Sequence, residues 1–161
     1  MQQVFLSLGS NLGHRKANLR KAVRLLKLLP GQMVRISSCY ESEPWGCSGE
    51  MNFYNQVIEL MTHLDPIELL DKLREIEQLC GRIRTSERYA PRSLDLDILF
   101  YENRILSTAE LKIPHALICQ RRFVLVPLCE IAPEFIHPVL GKTIRQLLKE
   151  CKDDKQVLKI R

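Results

Sequence analysis

"RIRTSERYAPRSLDLDILFY", residues 82–101, changes character halfway along. Arg82, Arg84, Arg88 and Arg92 crowd into eleven residues around Pro91, and an apolar run carrying Asp95 and Asp97 follows. Side chains alternate across a β-strand. That alternation predicts Leu94, Leu96, Ile98 and Phe100 on one face and Asp95, Asp97, Leu99 and Tyr101 on the other. The two carboxylates then point the same way, about 7 Å apart by strand rise. Two bare anions repel, and burial adds to the cost. A cation therefore belongs over them, either the arginines or a divalent metal. Hard carboxylate oxygens in a D-x-D suit Mg²⁺, which keeps several waters and shares ligands with phosphates. The same pair equally suits surface ion pairing at a strand start.

Outward from this strand the chain reads in a simple order. "DPIELLDKLREIEQLCG" (65–81) is a helix, with Asp65 as N-cap, Pro66 at the first position, Glu68 closing a capping box and Gly81 ending it. "FYNQVIELMTHL" (53–64) is a strand, preceded by the Gly/Pro loop "ESEPWGCSGEMN" and the strand "MVRISSCY". "QVFLSLGS" is a strand running through "GSNLG" into a helix whose apolar face is Leu19, Ala22, Val23, Leu26 and Leu29. Its other face holds Arg15, Lys16, Arg20, Lys21, Arg24 and Lys27, read as solvated. It lacks the interleaved aromatics of a single-strand nucleic-acid binder.

After Tyr101, residues 102–120 read as turn and loop. "RRFVLVPLCEIAP" reads as a helix interrupted by Pro127 and "TIRQLLKEC" as a short helix, and the last ten residues are expected to fray. The order β-α-β-β-α-β predicts one α+β domain over residues 1–161. It is a ferredoxin-like antiparallel sheet with helices on one face, plus C-terminal helical segments.

Composition narrows the function classes. The chain has 161 residues, 45% hydrophobic and 27% charged, with a formal charge of +5. That is a globular composition whose basic surplus favours an anionic partner. The six cysteines form no C-x-x-C and no zinc spacing, and are read as reduced thiols. Neither a signal peptide nor a membrane-length apolar run is evident, which predicts a cytoplasmic protein without membrane contact.

Arginine's planar fork matches phosphate oxygens, and an arginine loop beside a carboxylate pair is equipment for phosphoryl transfer. No G-x-x-x-x-G-K-[ST] or kinase Gly loop occurs, so any nucleotide site is of another design. Glu77 lies at the edge of its helix's apolar face, just upstream of the arginine loop. His115, Arg121 and Trp45 are further candidates, each with an ordinary structural alternative. Phe53, Asn55 and Phe123 read first as core residues and a polar strand position.

Taken together and in order, "GSNLG", "ESEPWG", "FYNQVIEL", "GRIR…ER…APRSLDLDIL", "IPH" and "RRFVLVPLCEIAPEF" resemble the 6-hydroxymethyl-7,8-dihydropterin pyrophosphokinases of folate biosynthesis. The likeness runs from about residue 4 to about residue 148, and "APRSLDLDILFY" is its most specific part. The resemblance implies transfer of pyrophosphate from ATP, the co-substrate, to the pterin hydroxymethyl group, releasing AMP. It implies two Mg²⁺ ions on Asp95 and Asp97, with Arg82 and Arg92 stabilising charge on the transferring group. Glu77, Arg84, Arg88, His115 and Arg121 would bind ATP. Phe53, Asn55, Phe123 and the Ser42, Glu43, Pro44, Trp45 loop would bind the pterin, and loops near 43–52 and 82–92 would close over both. The partners are then small molecules rather than nucleic acid, and a monomer is expected. Tyr89, Glu110 and Ala116 depart from residues of some members.

Overall fold

The computed structural model describes residues 1–46, 51–86 and 90–161. Its centre is β1 (Gln2–Ser10), hydrogen-bonded antiparallel to β4 (Phe53–Thr62) on one side and to β5 (Asp95–Tyr101) on the other. The outer edge of β4 carries two short strands instead of the single one predicted. β2 (Gly31–Ile36) pairs along Ile58–Thr62, and β3 (Tyr40–Ser42) pairs along Phe53–Asn55. The break has a local cause. The Ser37 hydroxyl takes the ladder's place by accepting from the Val57 amide at 2.9 Å, and the register already slips between Met33 and Arg35. At the start of β2, Gly31 has φ 136°, and a Cβ there would lie 2.0 Å from the Met61 carbonyl oxygen. No other residue fits that approach.

Helices α1 (Arg15–Leu26) and α2 (Pro66–Leu79) cover one face of the sheet. Leu19, Ala22, Leu26, Leu69 and Leu73 pack there against Val4, Leu6, Leu8, Leu96 and Ile98. The α2 capping box forms as the sequence predicts, with Asp65 accepting from the Ile67 and Glu68 amides and Glu68 reaching back to the Asp65 amide. The opposite face is covered too, which corrects the one-face expectation. After a small hairpin of β6 (Leu106–Ser107) and β7 (Lys112–Ile113) come α3 (Arg122–Ile131) and α4 (Ile144–Glu150). They bury Val124, Leu125, Leu128, Ile144 and Leu147 against Phe5, Val57, Leu99 and Phe100. An antiparallel sheet apolar on both faces requires a layer on each, and the C-terminal helices supply the second.

Two further expectations change. The chain end does not fray, because β8 (Val157–Lys159) pairs with β3. The alternation read for β5 also breaks. Leu6 pairs with Ile98 and Phe5 with Phe100, leaving Leu99 as the extra residue of a bulge. A bulge sets two residues against one and reverses side-chain parity beyond it. Phe100 therefore joins the α3–α4 core and Tyr101 the α1–α2 core. Among the described residues five cysteines are free thiols, while Cys47 lies outside them. No helix among the described residues is long and apolar enough to cross a membrane.

Candidate active site

The second face of the sheet is not filled to its end. Beyond α3, at the β5 N-terminus, lies a cavity of about 310 Å³. Its floor is sheet. Asp95 and Asp97 come from β5, the paired Gly9 and Ser7 from β1, and Asn55 and Phe53 from β4. Small side chains at Ser7 and Gly9 leave the space above the carboxylates open.

The arginines approach from the α2–β5 connection. Arg82 Nη1 donates to Glu77 Oε1 at 2.7 Å, to the Leu94 carbonyl at 3.2 Å and to Asp95 Oδ1. Arg92 Nη1 donates to the other oxygen, Asp95 Oδ2, at 2.9 Å. Asn11 fixes the Arg92 backbone at both ends: its side-chain oxygen accepts from the Arg92 amide at 2.8 Å, and its amide donates to the Arg92 carbonyl at 3.1 Å. The buried start of the "GSNLG" connection, at Asn11, thus holds the end of the arginine loop against the first carboxylate.

Glu77 works from behind the cavity. It is 4% exposed, accepts from the Leu96 amide at 2.8 Å, and also holds Arg84 Nη2 at 3.3 Å. Burial pushes its carboxyl above the usual range, against the pull of the Leu96 amide and Arg82. Its carboxylate ties α2 to the first turn of the loop and to the start of β5.

The third wall follows the β6–β7 hairpin. The His115 amide donates to the Leu99 carbonyl at 3.0 Å, at the bulge, and His115 Nδ1 accepts from the Leu117 amide at 3.2 Å. With Nδ1 an acceptor, the ring proton sits on Nε2. Burial, then the nearby Arg121 charge, lower its pKa to about 4, so His115 is a neutral donor at pH 7. The Arg121 guanidinium carbon stands 4.9 Å from the Trp45 ring centroid and 5.8 Å from that of Phe123. Across the cavity, Asn55 Nδ2 donates to Ser42 Oγ at 2.8 Å, which leaves the amide oxygen for another partner.

The charge balance is uneven. Two arginines meet Asp95. Asp97 is raised to about 7 by burial and then by the negative charge of Asp95, against the pull of Arg121 and Arg82. A neighbouring cation would restore it to the carboxylate form. The two carboxylates, both oxygen donors on one side of β5, fit a hard divalent ion whose other ligands are water and phosphate.

Most of the residues singled out in the sequence meet here. Arg82, Arg92, Asp95, Asp97, His115 and Arg121 line the cavity, as do Ser42, Glu43, Trp45, Phe53, Asn55 and Phe123. Pro44 is buried beside it without lining it, and Glu77 and Arg84 stand outside, joined to each other. Arg88 and Tyr89 lie outside the described residues. Glu110 pairs with Arg74 on the surface at 3.2 Å. Sequence reading missed Ser7, Gly9 and Asn11. Small residues at alternate positions of an otherwise apolar strand were the available signal for the first two.

The sequence model of the 7,8-dihydro-6-hydroxymethylpterin-pyrophosphokinase family matches residues 5–133. This chain belongs to that family. A 2-amino-4-hydroxy-6-hydroxymethyldihydropteridine pyrophosphokinase of Aquifex aeolicus is 38% identical over 150 residues, covering 93% of this chain and 92% of that protein. A protein of the same name from Synechocystis is 44% identical over 146 residues, covering 90% and 74%. Among solved structures, a Plasmodium falciparum HPPK-DHPS triple mutant with STZ-DHP superposes with a TM-score of 0.76 at 18% identity. It covers 92% of this chain and 43% of that longer one, and it supports the fold alone. As a pterin pyrophosphokinase, the protein transfers pyrophosphate from ATP to 6-hydroxymethyl-7,8-dihydropterin in folate biosynthesis.

Proposed function

We propose that the cavity at the β5 N-terminus is where this pyrophosphokinase holds both substrates, and that each wall has its own task. The observation that carries this reading is one half-open cavity lined by a carboxylate pair, three arginines, the Asn55 amide and the rings of Trp45, Phe53 and Phe123. Asp95 and Asp97 would hold Mg²⁺, two ions by family resemblance, which when bound neutralises phosphate charge and orients the triphosphate. Arg82 and Arg92 each reach one oxygen of Asp95 and would stabilise charge that develops on the transferring group. Glu77 and Asn11 fix the Arg82 side chain and the Arg92 backbone, and both guanidinium groups would be released from Asp95 towards phosphate once that carboxylate holds Mg²⁺. Arg121 and the neutral His115 donate to phosphate oxygens of ATP, and Arg84 and Arg88 complete the ATP-binding set. The Asn55 amide reads the pterin's amide-like edge, with Phe53 and Phe123 against its ring faces and the 42–45 segment at its rim. No side chain is assigned as general base.

The sheet order supports a ferredoxin-like βαββαβ frame extended by β8. The reading further takes the chain as a single domain that acts as a monomer on small molecules. The test is product identity. Incubated with Mg-ATP and 6-hydroxymethyl-7,8-dihydropterin, the protein releases AMP. Release of ADP would overturn pyrophosphate transfer. Activity in excess chelator equal to that with Mg²⁺ would overturn the metal assignment.

A further inference from the structure

Arg15, the first residue of α1, leaves the cationic face predicted for that helix. Its side chain is only 21% exposed, and it folds onto the end of the β3–β4 pair. Nη1 donates to the Asn52 carbonyl at 2.7 Å and to Glu41 Oε2 at 3.3 Å. Its guanidinium carbon stands 3.9 Å from the Tyr54 ring centroid. Asn52 Nδ2 donates to Glu41 Oε1 at 3.4 Å, so Asn52 and Glu41 are joined to each other as well as to Arg15.

The register gives this cluster its meaning. Glu41 pairs with Tyr54, and Ser42 pairs with Phe53. Alternation puts Glu41 and Tyr54 on the α1 face of the sheet and Ser42, Phe53 and Asn55 on the cavity face. Arg15 therefore grips, from behind, the point where the chain leaves β3 and re-enters at β4. On the front of the same point, Asn55 bonds Ser42 at 2.8 Å, and Trp45 and Phe53 line the cavity.

We infer that Arg15 is a positioning residue for the pterin side of the site: held by Asn52, Glu41 and Tyr54, it sets the spacing of the two strands whose opposite face binds the pterin. It reaches none of the carboxylates or arginines assigned to phosphate, so its influence is confined to one substrate. The planar guanidinium is suited to this because it stacks on a ring while donating in its plane, which an ammonium does not do.

This inference rests on the pterin assignment above, and the experiment separates the two. Steady-state kinetics and pterin fluorescence titration are run on the full chain and on Arg15→Ala, Arg15→Lys and Lys16→Ala. The expected result is a pterin KM and Kd raised about tenfold in Arg15→Ala. Arg15→Lys should be intermediate, Lys16→Ala unchanged, and the ATP KM within about twofold throughout, a selectivity that general loosening would not give. Pterin constants that stay within twofold in Arg15→Ala, or that rise in step with the ATP KM, would overturn the positioning role while leaving the proposed function intact. If Arg15→Ala does not fold, Arg15→Lys decides, and a wild-type pterin Kd in that variant counts against the proposal. A wild-type chain that binds no pterin overturns both readings.

Discussion

At the scale of single residues, Asp97 sets the pH behaviour. The folded chain holds its proton up to about pH 7, whereas an unfolded chain releases it near the ordinary value of 3.8. Folding is therefore penalised progressively as pH rises from 3.8 towards 7. His115 acts in the opposite sense over an overlapping window. Its pKa is lowered from 6.5 to about 4, so the unfolded chain binds the extra proton and stability rises between those values. The two contributions mask one another in the wild type, and Asp97→Asn separates them. Without Mg²⁺, the melting temperature of that variant should rise relative to wild type between pH 4 and 7, by roughly 10 °C at the upper end. A gap that stays constant with pH would mean Asp97 titrates as an ordinary carboxylate. The same variant should lose activity.

Under the proposed assignment of its charge to the transferring group, Arg92→Ala should lower kcat by about a hundredfold and weaken ATP binding far less. Equal effects on the two in steady-state assays would count against that role. Glu77→Ala should cost about 2–4 kcal/mol in urea unfolding, since it strands a buried amide and removes one acceptor of Arg82. The residue types of this site were legible in the sequence, from D-x-D to the arginine cluster. Which arginines meet which carboxylate was not. Arg82 and Arg92 both close on Asp95, and Glu77, near the end of the preceding helix α2, proves to be the post to which the loop is tied.

At the scale of elements, local chemistry was a good guide where an end is made by neighbours in sequence. The α2 cap is such a case, built within four residues by Asp65, Pro66 and Glu68. Asp65→Ala should cost about 1 kcal/mol in thermal or urea unfolding with kcat unchanged, because nothing at the cap touches the cavity. Periodicity failed where a strand departs from ideal pairing. The single strand read over residues 33–40 splits because Ser37 bonds sideways to Val57. The parity of β5 reverses because Leu99 is bulged out. Neither departure has a sequence signature of its own, since each depends on the partner strand. The bulge also matters to the site, for the Leu99 carbonyl accepts from the His115 amide and so fixes the third wall.

At the scale of the whole molecule, the sheet is apolar on both faces and the C-terminal third of the chain closes the second one. Leu128, fully buried on the inner face of α3, should cost about 2–5 kcal/mol when replaced by Ala. That loss should appear in a single cooperative unfolding transition, and two transitions would mean that the α3–α4 layer folds apart from the rest. The cavity exists because this second layer stops short of the sheet's end. Its floor is open sheet, and its rim is made of loop residues together with Arg121 and Phe123 at the start of α3.

By itself the sequence determined the β-α-β-β-α-β order of the main elements, the capped α2, the strand carrying both carboxylates, and a motif set specific enough to place the chain in a family. These depend on neighbours within a turn or a strand, where periodicity and side-chain chemistry act directly. Only the tertiary structure decided that the helical tail is a second layer, that β8 closes the sheet's edge, and that Asp95 is matched by two arginines while Asp97 is short of positive charge. It also decided that Arg15 turns from solvent to brace the strands behind the site. Each of these is a contact between segments far apart in the chain. Its energy depends on burial and on a partner's orientation, and neither is encoded in local spacing.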